Sequence, residues 1–253
     1  ENHKQGSRLR DRLRAPIIAA TALLAFGVAA KGCAADGSRW RRNTASTEAA
    51  AVKGQYRDLQ GASRFTKLGD GGEAVYIFKP KGAASASAPV VFFFHGLAAP
   101  DPYSYGGWID HLVRRGAIVV YPVSEDSKFD SADKIRRNAV IGVRRAADEL
   151  SREGVDLSRV AFVGHSVGGG LSVQLAADAR ALGLPVPRAI MSVQPGGSKN
   201  PTRPDDMARL PSSTLLLVVE GDADQFEESR EGKMIVENAT GIPGENRVYV
   251  LLR

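Results

Sequence analysis

Val160-Ala161-Phe162-Val163-Gly164-His165-Ser166-Val167-Gly168-Gly169-Gly170 is the stretch on which the fold turns. An apolar strand enters it and a small-residue helix leaves it. Between them stands G-x-S-x-G, the pattern of a strand-to-helix turn so tight that the central residue is held in a strained backbone conformation. Glycines at 164 and 168 remove side chains that would collide in such a turn. The turn projects Ser166 Oγ from the end of a strand, at a helix N-terminus where free N–H groups favour developing negative charge. A phosphate loop is excluded because no Gly-Lys-Ser/Thr follows. A dinucleotide fingerprint would need its glycines on the first strand and an acidic residue after the second, and neither is found.

Outward from this turn, the chain from about residue 53 alternates between two kinds of segment. Apolar β-rich runs at 74–78, 90–94, 117–123, 160–163, 189–193, 214–219 and 248–252 predict strands. Helical patterns lie between several of them: Trp108, Ile109, Leu112 and Val113; Ile135, Val140, Val143, Ala147 and Leu150; residues 167–182; and residues 234–239. Continuous apolar strands separated by helices indicate a mostly parallel sheet buried on both faces, a three-layer α/β/α sandwich. There is no internal repeat, and residues 53–253 read as one domain.

Three ordered features now carry a family resemblance: His95-Gly96 after one strand, Gly164-His165-Ser166-Val167-Gly168 after another, and Gly221-Asp222-Ala223-Asp224 after a third. With them the chain resembles the α/β-hydrolase family over most of residues 53–253, and within it the capless secreted esterases of cutinase-like, polyester-hydrolase-like and chlorophyllase-like type. The resemblance implies an ester hydrolase working through an acyl-enzyme intermediate, with Ser166 as nucleophile. Oxyanion donors are expected at the Val167 N–H and, by resemblance, at Leu97, with His95 shaping that loop. The acid is assigned to Asp224, with Asp222 as runner-up. Tyr103, Tyr105 and Phe226 are candidate substrate-binding aromatics, whereas Trp108 fits packing against the sheet equally well.

The base is the difficulty. Family order is Ser, acid, His, yet His3, His95, His111 and His165 all precede Ser166. His165 adjoins the nucleophile and should point to the other side of the turn; His111 reads as a solvated surface residue. The favoured expectation is a chain that stops after its last core strand, just before the catalytic His. A non-catalytic binding protein on the same fold, or an unusual base, is the competing reading. A peptidase or acyltransferase would use the same Ser.

A net charge of +6 would by itself call for a polyanionic partner, but residues 1–42 hold nine basic and three acidic residues, the whole of the excess. The remainder is neutral, so no nucleic-acid partner is expected. Arg8, Arg10, Arg12 and Arg14 precede a sixteen-residue apolar run at 15–30, the order of an export signal (1–33) followed by an Ala/Ser/Thr-rich linker (34–52). A membrane anchor or lipidated Cys33 is the alternative; Lys31 departs from the lipidation pattern. A single Cys excludes an intrachain disulfide framework and any multi-Cys zinc site. No metal or cofactor is implied, and an exported monomer is expected, touching membrane only through its leader. In the region between the strands at 189–193 and 214–219, where the resemblance implies many relatives carry a helical cap, Pro195, Pro201, Pro204 and Pro211 leave too little chain to build one, so an open cleft suited to bulky or polymeric esters or lipids is expected.

Overall fold

Apolar alternation and length turn the predicted runs into strands of a single eight-stranded sheet. The computed structural model describes residues 63–82, 85–196, 207–222 and 231–252. The leader, the linker, Cys33, Asp224 and Phe226 lie outside the described residues. The strands are β1 (Ser63–Leu68), β2 (Val75–Pro80), β3 (Val90–Phe94), β4 (Ile118–Pro122), β5 (Val160–His165), β6 (Ala189–Val193), β7 (Leu215–Gly221) and β8 (Arg247–Leu252). Their order across the sheet is β1-β2-β4-β3-β5-β6-β7-β8. The β1–β2 and β2–β4 pairs are antiparallel, and every pair from β4 to β8 is parallel. The parallel strands therefore direct their C-terminal ends, and the loops that follow, to one edge.

Four α-helices are described: α1 (Gly106–Arg114), α2 (Ala132–Arg152), α3 (Val167–Asp178) and α4 (Glu231–Asn238). Helix α2 starts at Ser131, whose hydroxyl accepts the Lys134 N–H at 3.3 Å, satisfying one of the donors a helix start leaves open. Its buried stripe, including Ile135, Ala139, Val143, Ala146 and Leu150, packs with α3 and α4 against Val90, Phe92, Phe94, Phe162 and Ile190 on one face. The intervening residues Val91 and Phe93 point to the opposite face. There Phe93 meets Trp108 of α1 edge-on at 5.2 Å between centroids. Phe92, Phe93 and Phe94 are each almost fully buried, worth roughly 1.5–3 kcal/mol apiece.

One strand and one helix end differ most from the sequence expectation. Strand β1 (SRFTKL) was not among the predicted strands. It is an edge strand whose Phe65 remains half exposed, so it lacks a continuous apolar run. The helix expected over 167–182 ends at Asp178, after which the Gly183 turn has φ +62°.

A buried carboxylate fixes the far side of the sheet. Glu220, 3% exposed, accepts the Gly232 N–H at 2.8 Å and the Tyr249 hydroxyl at 2.7 Å, so one side chain joins β7, α4 and β8. Burial, and then the adjacent Glu220 charge, push the Tyr249 phenol up to about 12. A group raised in the folded state stabilises it fully below its unfolded value near 10 and loses that contribution as pH climbs through the folded value. Tyr249→Phe should therefore lower stability by about 1–3 kcal/mol at pH 7. In chemical denaturation the gap from wild type should narrow as pH rises from about 10 toward 12. A variant as stable as wild type at pH 7 would remove Glu220 from this role.

Candidate active site

The turn at Ser166 is strained in the way its sequence demands. Ser166 has φ +54° and ψ −124° and caps α3. A β-carbon at Gly168 would run into the carbonyl oxygens of Phe94 and His95, and one at Gly164 into the Gly168 carbonyl. Only glycine lets the first turn of α3 close onto the ends of β3 and β5. The Ser166 N–H bonds Val193 O at 3.0 Å, and Ser166 O accepts the Gly169 N–H at 2.8 Å. The elbow is thus held by backbone on both sides, with Ser166 half-buried at the helix N-terminus.

The loop after β3 lies directly against it. A methyl on Gly96 would stand 3.3 Å from Ser166 Cβ, 3.2 Å from His165 Nδ1 and 3.0 Å from the Tyr105 hydroxyl. Leu97 is 42% exposed and Val167 is buried. The structure thus brings Ser166, Val167 and the Leu97 loop to one place. Asp222 is exposed at the end of β7, its N–H bonded to Leu252 O at 2.9 Å.

Several tethers had no local sequence signature. The Tyr105 hydroxyl accepts the Gly96 N–H at 2.9 Å and lies 2.8 Å from His165 Nδ1. Tyr105, expected to line a substrate site, has its hydroxyl committed to joining the loop to the elbow. Burial pushes its phenol up, the Gly96 N–H opposing. The Tyr121 hydroxyl donates to Ala99 O at 2.6 Å while its ring stacks on Phe93 and His95. Its phenol too is raised, chiefly by burial. Gln194, just past β6, accepts the Gly221 N–H on its side chain at 2.6 Å and donates its own N–H to Val219 O at 2.7 Å. Ala98, Ser124, Ser166 and Gln194 all have positive φ, 62°, 58°, 54° and 44°. One follows each of β3, β4, β5 and β6, so the strain gathers on the edge that carries Ser166.

The remaining expected site residues separate. Tyr103 lines a groove of about 480 Å³ with Lys67, Tyr76, Glu125 and Asp126, on the β1–β2 side of the loop. Trp108 packs on Phe93 and is sheet packing. His111 is not solvated as expected: it is half-buried and its Nε2 is buried without a hydrogen-bond partner among the described residues. No group of three metal-ligating side chains is found among the described residues. No helix there is long and apolar enough to cross a membrane.

The comparisons with known proteins agree with this fold. The model of a family described as alpha/beta hydrolase fold matches residues 114–228. Solved structures with the same fold include carboxyl esterase 2 from the mycorrhizal fungus Tuber melanosporum. That match has 17% identity, TM-score 0.58, and covers 76% of this chain and 75% of that one. A fungal esterase from Rhizomucor miehei matches at 15% identity and TM-score 0.63, covering 87% and 83%. A thermostable esterase from Pseudomonas putida ECU1011 matches at 18% identity and TM-score 0.59, covering 86% and 82%. No curated protein matches the chain. The chain has the α/β-hydrolase fold.

Gly168→Ala should destabilise the protein by about 3 kcal/mol or more, because the new methyl meets backbone, which cannot rotate away. Thermal denaturation beside wild type checks this; an unchanged melting temperature would contradict the packing described at the elbow.

Proposed function

We propose that the chain is a serine ester hydrolase that forms an acyl-enzyme on Ser166. One observation carries this reading: a non-glycine residue with a hydroxyl nucleophile is held at φ +54° on a strand-to-helix turn, against the loop after β3. Such strain persists only where the surroundings enforce it. The named esterases among the solved structures are in line with this reading.

In the proposed reaction Ser166 Oγ attacks the ester carbonyl carbon. The oxyanion that develops accepts the N–H groups of Val167 and Leu97. A histidine carried by chain following β8 takes the Ser166 proton and returns it to the leaving alcohol. Asp224, or Asp222 in its place, orients that histidine. The parallel register of β7 and β8 pairs Gly221 with Leu252, so chain leaving β8 starts beside the acid loop. Water then hydrolyses the acyl-enzyme by the reverse proton route.

The proposed substrates are bulky carboxylic esters or lipids. Pro195, Pro201, Pro204 and Pro211, between β6 and β7, argue against a helical cap and support an open cleft. The order of Arg8–Arg14 and the apolar run after them supports export of the enzyme, with any membrane contact made by that leader alone.

The full-length protein as encoded should hydrolyse p-nitrophenyl butyrate, and Ser166→Ala should lower kcat by about 10⁴-fold or more. Retention of wild-type turnover by Ser166→Ala would overturn the proposal. A wild type inert toward short and long acyl esters would favour the non-catalytic binding reading.

A further inference from the structure

Each ring nitrogen of His95 faces a backbone carbonyl oxygen. Its Nδ1 lies 2.7 Å from the carbonyl oxygen of Gly96. Its Nε2 has the Val123 carbonyl oxygen as its nearest partner, with Ser124 Oγ further off at 3.0 Å. A carbonyl oxygen cannot donate, so both contacts are hydrogen bonds only if both ring nitrogens carry a proton. A neutral ring that accepts from Ser124 Oγ would set its Nε2 lone pair against the Val123 carbonyl. The residue is buried, and a buried cation needs a counter-ion. The Glu125 carboxylate supplies one: its Oε1 stands 3.8 Å from His95 Nδ1, both side chains are 2% exposed, and that oxygen has no hydrogen-bond partner among the described residues.

We propose that His95 is a buried imidazolium with Glu125 as its counter-ion, and that this pair is the positioning device of the loop that carries the Leu97 oxyanion donor. The pair joins two strained loops. His95 and Gly96 begin the loop after β3, where Ala98 has φ +62°; Val123 and Glu125 flank Ser124, at φ +58°, in the loop after β4. The N–H groups of Ala98 and Ala99, the two residues after Leu97, also favour the charged form of Glu125. Burial raises that carboxyl above its ordinary value, with the neighbouring His95 opposing. The other ionisable groups bearing on the pair are Tyr121, stacked on the His95 ring at 5.4 Å, Tyr105 with His165 beyond it, Asp101 and Asp130. Both phenols are raised, chiefly by burial. Among the described residues, His95 is the basic side chain within ion-pairing distance of Glu125.

The structural half of this proposal stands without the esterase reading; its catalytic consequence rests on that reading. The test is long-range ¹H–¹⁵N correlation on ¹⁵N-histidine-labelled full-length protein at about pH 7.5, where an ordinary His near 6.5 is mostly neutral. The expected spectrum shows His95 with both ring nitrogens protonated. In Glu125→Gln the same ring should revert to one protonated nitrogen, which also assigns the signal if His95→Gln does not fold. With p-nitrophenyl butyrate, Glu125→Gln should lower kcat about tenfold or more with KM little changed, since an oxyanion donor acts in the transition state. Glu125→Asp should recover part of the loss. A wild-type spectrum in which His95 has one unprotonated ring nitrogen would overturn the proposal. An imidazolium in a wild type that hydrolyses no ester would leave the pair standing and remove the esterase reading instead.

Discussion

The packing of Gly168 against the ends of β3 governs the rest of the molecule. The Phe94 and His95 carbonyls occupy the space a side chain would need, so α3 can begin immediately after Ser166 and nowhere further from the sheet. That contact sets the backbone of Ser166 at positive φ. It also sets the distance between the elbow and the loop after β3, because the same two residues, Phe94 and His95, are where that loop starts. Ser166 and its neighbouring loop are placed by one glycine contact.

Parallel strand order then multiplies the effect. With β4, β3, β5, β6 and β7 side by side, successive loops meet on a single edge. Each is tied to its neighbour by a named bond: Tyr121 to Ala99, Tyr105 to His165, Ser166 to Val193, Gln194 to Gly221. Four non-glycine residues with positive φ would together cost several kcal/mol in an isolated chain. The continuous core beneath, from Val90 to Ile235, offsets that strain, which is why it can be concentrated on the edge that carries Ser166 rather than spread through the fold.

Much of this was legible in the sequence, for physical reasons that can be named. A buried parallel strand must be apolar on both faces, so 90–94 and 160–163 announce themselves; an edge strand need not be, and SRFTKL passed unnoticed. The elbow is legible because its sterics admit so few residues. The tethers are not: Tyr121 meets Ala99 across 22 residues and Tyr105 meets His165 across 60. No periodicity encodes a partner at such separations. Tyr105 looked like a binding aromatic because exposure cannot be read from a tyrosine in a loop. His111 looked solvated because its neighbours Asp110 and Arg114 are charged. They pair with each other at 2.7 Å, while the imidazole Nε2 is buried.

The central claim is that Ser166 is an activated nucleophile, and the most direct measurement is where a covalent probe lands. Full-length protein treated with a stoichiometric alkyl fluorophosphonate and digested for mass spectrometry should carry one phosphonyl adduct, on the peptide containing Ser166, and denatured protein should carry none. Adduct on another serine, or native protein left unmodified, would contradict the account.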